Sequence, residues 1–123
     1  MKILLVDDDE FILNLVQKSL EKVGHSVEVA DSTETALAHL AEGHGFNLVI
    51  TDIVMPGQDG GELAKHVKSL EPKVPVITIT GGIENAIEDY AVYAEMFSDE
   101  TLSKPFRSDE LMAAVERVTA SAA

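Results

Sequence analysis

The sequence predicts an α/β domain built on an open parallel sheet with helices on both faces, and three observations carry that expectation. Short apolar runs alternate with longer amphipathic ones, the pattern of strands joined by crossover helices. Two of the runs end in acid: Asp7-Asp8-Asp9 closes Lys2-Ile3-Leu4-Leu5-Val6, and Asp52 closes Asn47-Leu48-Val49-Ile50-Thr51. The carboxyl ends of parallel strands are where such sheets carry their sites. Cap and turn residues punctuate the runs at the expected places.

In chain order, the first strand is expected from Lys2 to Asp7 and the first helix from Glu10 to Val23. Phe11, Ile12, Leu15, Val16, Leu20 and Val23 form one apolar stripe at helical spacing, read as core. Gly24 suits a left-handed cap. The second strand is Ser26 to Ala30, and Asp31 and Ser32 can accept hydrogen bonds from the free amides of a helix over Thr33 to Glu42, which Gly43 ends. Asn47 to Asp52 makes the third strand. Asp59-Gly60 reads as a turn before a helix from Gly61 to Leu70. The fourth strand, Val74 to Thr80, meets Gly81-Gly82 and a helix from Ile83 to Tyr93. A weaker fifth strand, Glu100 to Ser103, precedes Lys104-Pro105-Phe106 and a last helix from Ser108 to Thr119.

At 123 residues the chain reads as one domain, residues 1–123 with a core of about 2–118, and no output domain is visible in it. Ser121-Ala122-Ala123 looks like a frayed end or a cut point. With 9 Lys and Arg against 22 Asp and Glu, the net charge of −13 opposes nucleic-acid phosphate and anionic lipid. The absence of cysteine excludes disulfides, thiolate metal sites and a cysteine nucleophile. No apolar stretch approaches a membrane span, and Lys2 leads into a strand rather than a secretory signal. A cytoplasmic location is expected.

The chemistry follows from crowded negative charge. Asp7, Asp8 and Asp52 brought to one crevice would repel one another, and a divalent cation relieves that repulsion. All-oxygen ligands without His or Cys favour Mg²⁺ or Mn²⁺. Such an ion keeps positions for phosphate oxygens, and an aspartate beside it can act as a nucleophile that forms an acyl phosphate. Thr80 places a hydroxyl at the same edge, where it can bond a phosphate oxygen. Lys104 places an ammonium there to balance carboxylate or phosphoryl charge.

Val6-Asp7-Asp8-Asp9, Asp52-x-x-Met55-Pro56-x-x-Asp59-Gly60, Thr80-Gly81 and Lys104-Pro105-Phe106 together resemble the receiver domain of bacterial two-component response regulators. The likeness, to single-domain, chemotaxis-regulator-like members, runs from Lys2 to about Val118. It implies a flavodoxin-like (βα)5 fold with strand order 2-1-3-4-5. It also implies Asp52 as phosphoacceptor, Asp8 as a direct metal ligand, Asp7 acting largely through water on the metal, and the backbone carbonyl of Val54 as a further ligand. Thr80 would turn its hydroxyl onto the phosphoryl group, and Lys104 would pair with Asp52 or its phosphate, across a cis peptide to Pro105. The implied donor is a histidine kinase or histidine phosphotransfer protein. The output is a protein target at the face of the fourth and fifth helices and the fifth strand, with no direct contact to nucleic acid or membrane. The domain would catalyse only its own aspartyl phosphorylation and a slow dephosphorylation, slow because neither Val54 nor Gly82 can orient a water.

Departures from the family pattern accompany the likeness. Most receivers carry an aromatic three residues before the lysine, and here Thr101 stands there, which speaks against the usual rotamer switch. Activation is expected to move Gly81-Gly82 and the helix after it instead. Glu84, Glu88, Asp89, Glu95, Asp99 and Glu100 accumulate between Lys73 and Lys104 with no Lys or Arg among them, predicting an acidic face that steers a basic partner or simply keeps the domain soluble. Tyr90 and Tyr93 are read as a partner anchor. Met55, Met96 and Met112 are read as core or loop packing. His25, His39, His44 and His66 lack metal-ligand spacing and are read as surface residues.

Rival chemistries fit less well. A flavin carrier needs a phosphate-holding loop where Asp7-Asp8-Asp9 stands, and a haloacid-type phosphatase needs a second acid where Val54 stands. An EF-hand needs alternate acids and a downstream Glu. An isolated Asp triplet before a helix is ordinarily a cap; Asp52 and Lys104 are what raise it above that. The remaining alternatives are a receiver-like interaction module that works without phosphorylation, and a receiver excised from a longer regulator or hybrid kinase.

Overall fold

Runs too uniformly apolar to leave either face in water belong at the centre of a sheet covered on both sides. In the computed structural model, which describes residues 1–41, 45–52, 54–55, 58–70, 73–80 and 98–122, β1 (Lys2–Val6) is one such interior strand. It pairs in parallel with β2 (Ser26–Ala30) on one side and β3 (Leu48–Asp52) on the other. Next, β3 pairs with β6 (Val76–Thr80) and β6 with β7 (Glu100–Ser103), again in parallel. The sheet order is β2-β1-β3-β6-β7. A separate antiparallel pair, β4 (Val54–Met55) with β5 (Gln58–Asp59), stands outside it, so the five sheet strands run 2-1-3-4-5, the doubly wound order expected.

Strand alternation divides the core in two. Ile3, Leu5, Ile50, Ile77 and Ile79 pack against α1 (Glu10–Lys22) and the C-terminal helix (Ser108–Ala122) through Leu13, Leu20, Leu111 and Val115. On the opposite face Leu4, Val6, Val49 and Val76 meet α2 (Thr33–His39) and α3 (Gly60–Lys68) through Ala36, Leu63 and Val67. Each fully buried aliphatic side chain contributes about 1.5–3 kcal/mol. That burial makes a stiff platform under the sheet edge.

The first helix corrects the stripe expected from sequence. Leu13, Val16 and Leu20 are buried and Ile12 is partly so, whereas Phe11, Leu15 and Val23 are exposed, Phe11 by 72%. The apolar residues span more of the helix circumference than one buried face, and the sheet covers the side centred on Leu13 and Leu20. Asp59-Gly60 is likewise not a turn of its own: Asp59 pairs with Val54 in β5, and Gly60 opens α3. Ser32, not Asp31, caps α2, accepting from the Thr35 amide at 3.0 Å. Gly24 adopts the left-handed φ of +100° that its place after α1 requires. Met112 packs against the core as expected. The helix expected over Ile83 to Tyr93 lies outside the described residues, as do Gly43, His44, Gly81-Gly82, Met96 and both tyrosines.

Candidate functional site

Four parallel strands end at one edge and deliver the candidate residues there. Asp7 follows β1, and its amide continues the ladder by donating to the Ala30 carbonyl at 3.1 Å. Asp52 is the last residue of β3. Thr80 is the last residue of β6, and Lys104 follows β7, where its amide donates to the Thr80 carbonyl at 2.9 Å. The Lys104-Pro105 peptide is cis, the geometry expected of this position.

The aspartate triplet divides its labour. Asp9 is the cap of α1, accepting from the amides of Phe11 and Ile12 at 2.9 and 3.4 Å, so the capping role belongs to this residue. Asp8 is exposed. Asp7 is fully buried, and its Oδ1 accepts from the Asp9 amide at 2.9 Å. One carboxylate oxygen from each of Asp7, Asp8 and Asp52 lies within 4.8 Å of the others. Asp52 is itself only 3% exposed.

Among the described residues, the Lys104 side chain is the cation that faces the buried pair. The Lys104 ammonium donates to Asp52 Oδ2 at 2.9 Å and to Asp7 Oδ2 at 3.3 Å. Burial pushes the Asp7 carboxyl up to about 6, and the nearby Asp52 charge adds to that rise, against lowering by the Asp9 amide and Lys104. For Lys104, burial acts to lower the pKa, but the hydrogen bond and charge of Asp52, with those of Asp7, outweigh it and raise the ammonium. Among the described residues one ammonium stands against three carboxylates, an excess of negative charge, and every ligand atom they offer is a hard oxygen. That set fits a divalent cation of the magnesium class, and Asp7, Asp8 and Asp52 are the side chains that could hold it.

Thr80 reaches the same edge but points elsewhere. Its single hydroxyl proton is directed toward β7, where the Leu102 carbonyl at 3.4 Å and the Ser103 hydroxyl at 3.5 Å are its alternative acceptors. Thr101 bonds through its hydroxyl to Thr78 and to Ser98, each at 3.3 Å. Val54 lies two residues past Asp52 in β4. The structure thus gathers Asp7, Asp8, Asp52 and Lys104 into one cluster and leaves the Thr80 hydroxyl beside it.

Sequence reasoning missed Ser103. The signal was available, because alternation along Glu100–Ser103 puts Thr101 and Ser103 on one face of β7, in register with Thr78 and Thr80. The expected acidic face is also partly neutralised. Asp99 is paired with Lys68 and Glu100 with Arg117; the other four acids lie outside the described residues. Among the histidines, His66 is exposed and His25 and His39 half-buried, the last edge-on to Phe46. Among the described residues no helix is long and apolar enough to cross a membrane.

Comparison with known proteins points one way. The family model of the response regulator receiver domain matches residues 3–116. The response regulator receiver protein CpdR of Brucella abortus is 34% identical over 121 residues, covering 98% of this chain and 98% of that protein. The transcription factor SKN7 of Candida albicans is 36% identical over 94% of this chain, which spans only 20% of it. For seven of the curated relatives the chain spans only between 17% and 48% of the full length. A CheY-like receiver domain protein from Methanospirillum hungatei superimposes with a TM-score of 0.87 at 30% identity, covering 98% of this chain and 94% of that one.

Proposed function

This chain belongs to the response regulator receiver domain family, a family of signalling modules that typically bind Mg²⁺ and are phosphorylated, and from that premise we propose that Asp52 is its phosphoacceptor. The donor is the phosphohistidine of a histidine kinase or histidine phosphotransfer protein. A carboxylate oxygen of Asp52 attacks phosphorus, the P–N bond breaks, and the imidazole leaves with its electron pair and takes up a proton. An acyl phosphate on Asp52 results.

The observation that carries this reading is the convergence of the Asp7, Asp8 and Asp52 oxygens within 4.8 Å, with the Lys104 ammonium 2.9 Å from Asp52. Asp7, Asp8 and Asp52, with the Val54 carbonyl, would hold the metal, which when bound would offset charge on the transferred group. Lys104 keeps Asp52 oriented and exchanges its carboxylate contact for a phosphoryl oxygen. Thr80 supplies a hydroxyl to that group. Positioning and charge neutralisation then do most of the catalysis, and the domain acts on no outside substrate. Output passes through protein contacts in the cytoplasm, on the surface of β7, the C-terminal helix and the segment before β7, without direct nucleic-acid or membrane binding.

Thr101, in place of the usual aromatic, favours a second reading, in which the fold serves as an interaction module indifferent to phosphorylation. One experiment separates the two. Incubation with Mg²⁺ and a small acyl phosphate, followed by intact mass, is expected to add one phosphoryl group that Asp52→Asn abolishes; no gain of mass overturns the switch.

A further inference from the structure

The Thr80 hydroxyl is a buried donor that must always have a partner. Thr80 is only 8% exposed, and a hydroxyl at that depth left unpaired is costly. Among the described residues its two acceptors lie on β7: the Leu102 carbonyl at 3.4 Å and the Ser103 hydroxyl at 3.5 Å. Ser103 stands directly across the strand from Thr80, and Thr101 stands across from Thr78. Two hydroxyl pairs therefore join β6 to β7 along one face, with Thr78 and Thr101 3.3 Å apart.

We propose that Ser103 is a positioning residue that parks the Thr80 hydroxyl on β7 and so sets the cost of recruiting it to a phosphoryl group on Asp52. This rests on the reading of Asp52 given above. Thr80 has two alternative partners in that scheme, β7 at rest and the phosphoryl oxygen when one is present. Whatever stabilises the first disfavours the second by the same amount. Ser103 is exposed, so its hydroxyl is hydrated as soon as Thr80 leaves, and it acts on the balance only through the resting state. Both contacts are long for O–H···O bonds. The bias is accordingly small, about twofold to fourfold in the equilibrium, as suits a contact that must release on each cycle. In this chain the strand face that lacks an aromatic at Thr101 has a hydroxyl ladder as its restraint.

The test is a titration of the full chain with beryllofluoride, a phosphoryl mimic, in excess Mg²⁺, followed by amide NMR. Removing the hydroxyl with Ser103→Ala, or with Ser103→Gly as a second variant, is expected to tighten apparent affinity about twofold to fourfold. Ser103→Thr is expected to restore it. In a Thr80→Ala background neither substitution should change affinity, because no hydroxyl remains to be parked. Unchanged affinity in Ser103→Ala and Ser103→Gly, or an equal change with and without Thr80, overturns the proposal while leaving the Asp52 reading intact. Failure of the unmodified protein to bind the mimic overturns that reading and this proposal together.

Discussion

Lys104 and Asp52, 52 positions apart in sequence, meet at 2.9 Å, with the lysine side chain only 24% exposed and the aspartate side chain 5%. The same ammonium reaches Asp7 at 3.3 Å, so one cation is shared by two buried acids. Without the lysine the two buried carboxylates would lose this cation and keep their mutual repulsion. Lys104→Met is expected to destabilise the metal-free protein by about 1–3 kcal/mol at pH 8, less than a fully buried pair would lose because the lysine keeps some water. Urea denaturation measures the loss, and adding Mg²⁺ should recover part of it.

The raised Asp7 carboxyl fixes a pH dependence. Its folded value of about 6 lies above the ordinary 3.8, so between those limits the folded state binds more protons than the unfolded. By linkage this contribution to stability is fully present below pH 4 and is lost as pH rises through 6. The span of the effect is about 2–3 kcal/mol. Asp7→Asn should flatten the slope of stability between pH 4 and 7 and be the more stable protein at pH 8 without metal. A slope unchanged by Asp7→Asn, in denaturation followed across that range, would contradict the assignment.

Metal binding should show in stability as well as in chemistry. At a Mg²⁺ concentration about 100 times its dissociation constant, mass action adds about 2.7 kcal/mol to the folded state. For a domain of this size, that raises Tm by on the order of 10 °C. Asp8→Ala, an exposed change with little cost of its own, should remove most of the Mg²⁺ response while leaving the metal-free Tm nearly unmoved. Differential scanning calorimetry with and without the ion reads both.

The corrected face of α1 predicts unequal costs for two apolar truncations on one helix. Leu20 is fully buried, and Leu20→Ala should lose about 2–5 kcal/mol. Phe11 is 72% exposed, and Phe11→Ala should stay within about 0.5 kcal/mol of the unmodified protein. Equal losses from the two would mean that the helix packs through the stripe read from sequence.

The sheet and its edge were legible in the linear chain because two local signals agree there. Apolar runs such as Val76–Thr80 are too short and too β-branched for helices, and acids at Asp7 and Asp52 sit where a run ends. The motif spacing then made Asp52, Lys104 and Thr80 one set before any contact was known. The face of α1 was less legible. Phe11, Leu15 and Val23 have the spacing of a stripe, yet which side of a broadly apolar helix is covered depends on where the sheet lies against it.

By itself, then, the sequence determined the strand and helix order, the family likeness and the identity of the acids and the lysine at the strand ends. These are local or motif-level properties, carried by residue type and spacing. Only the tertiary structure decided that Asp9 caps while Asp7 is buried, that Lys104 spans both Asp7 and Asp52, and that the Thr80 hydroxyl rests on Ser103 and Leu102. Each of those outcomes is a choice of partner between strands distant in the chain. Such choices follow from distance and burial, which spacing along one strand does not encode.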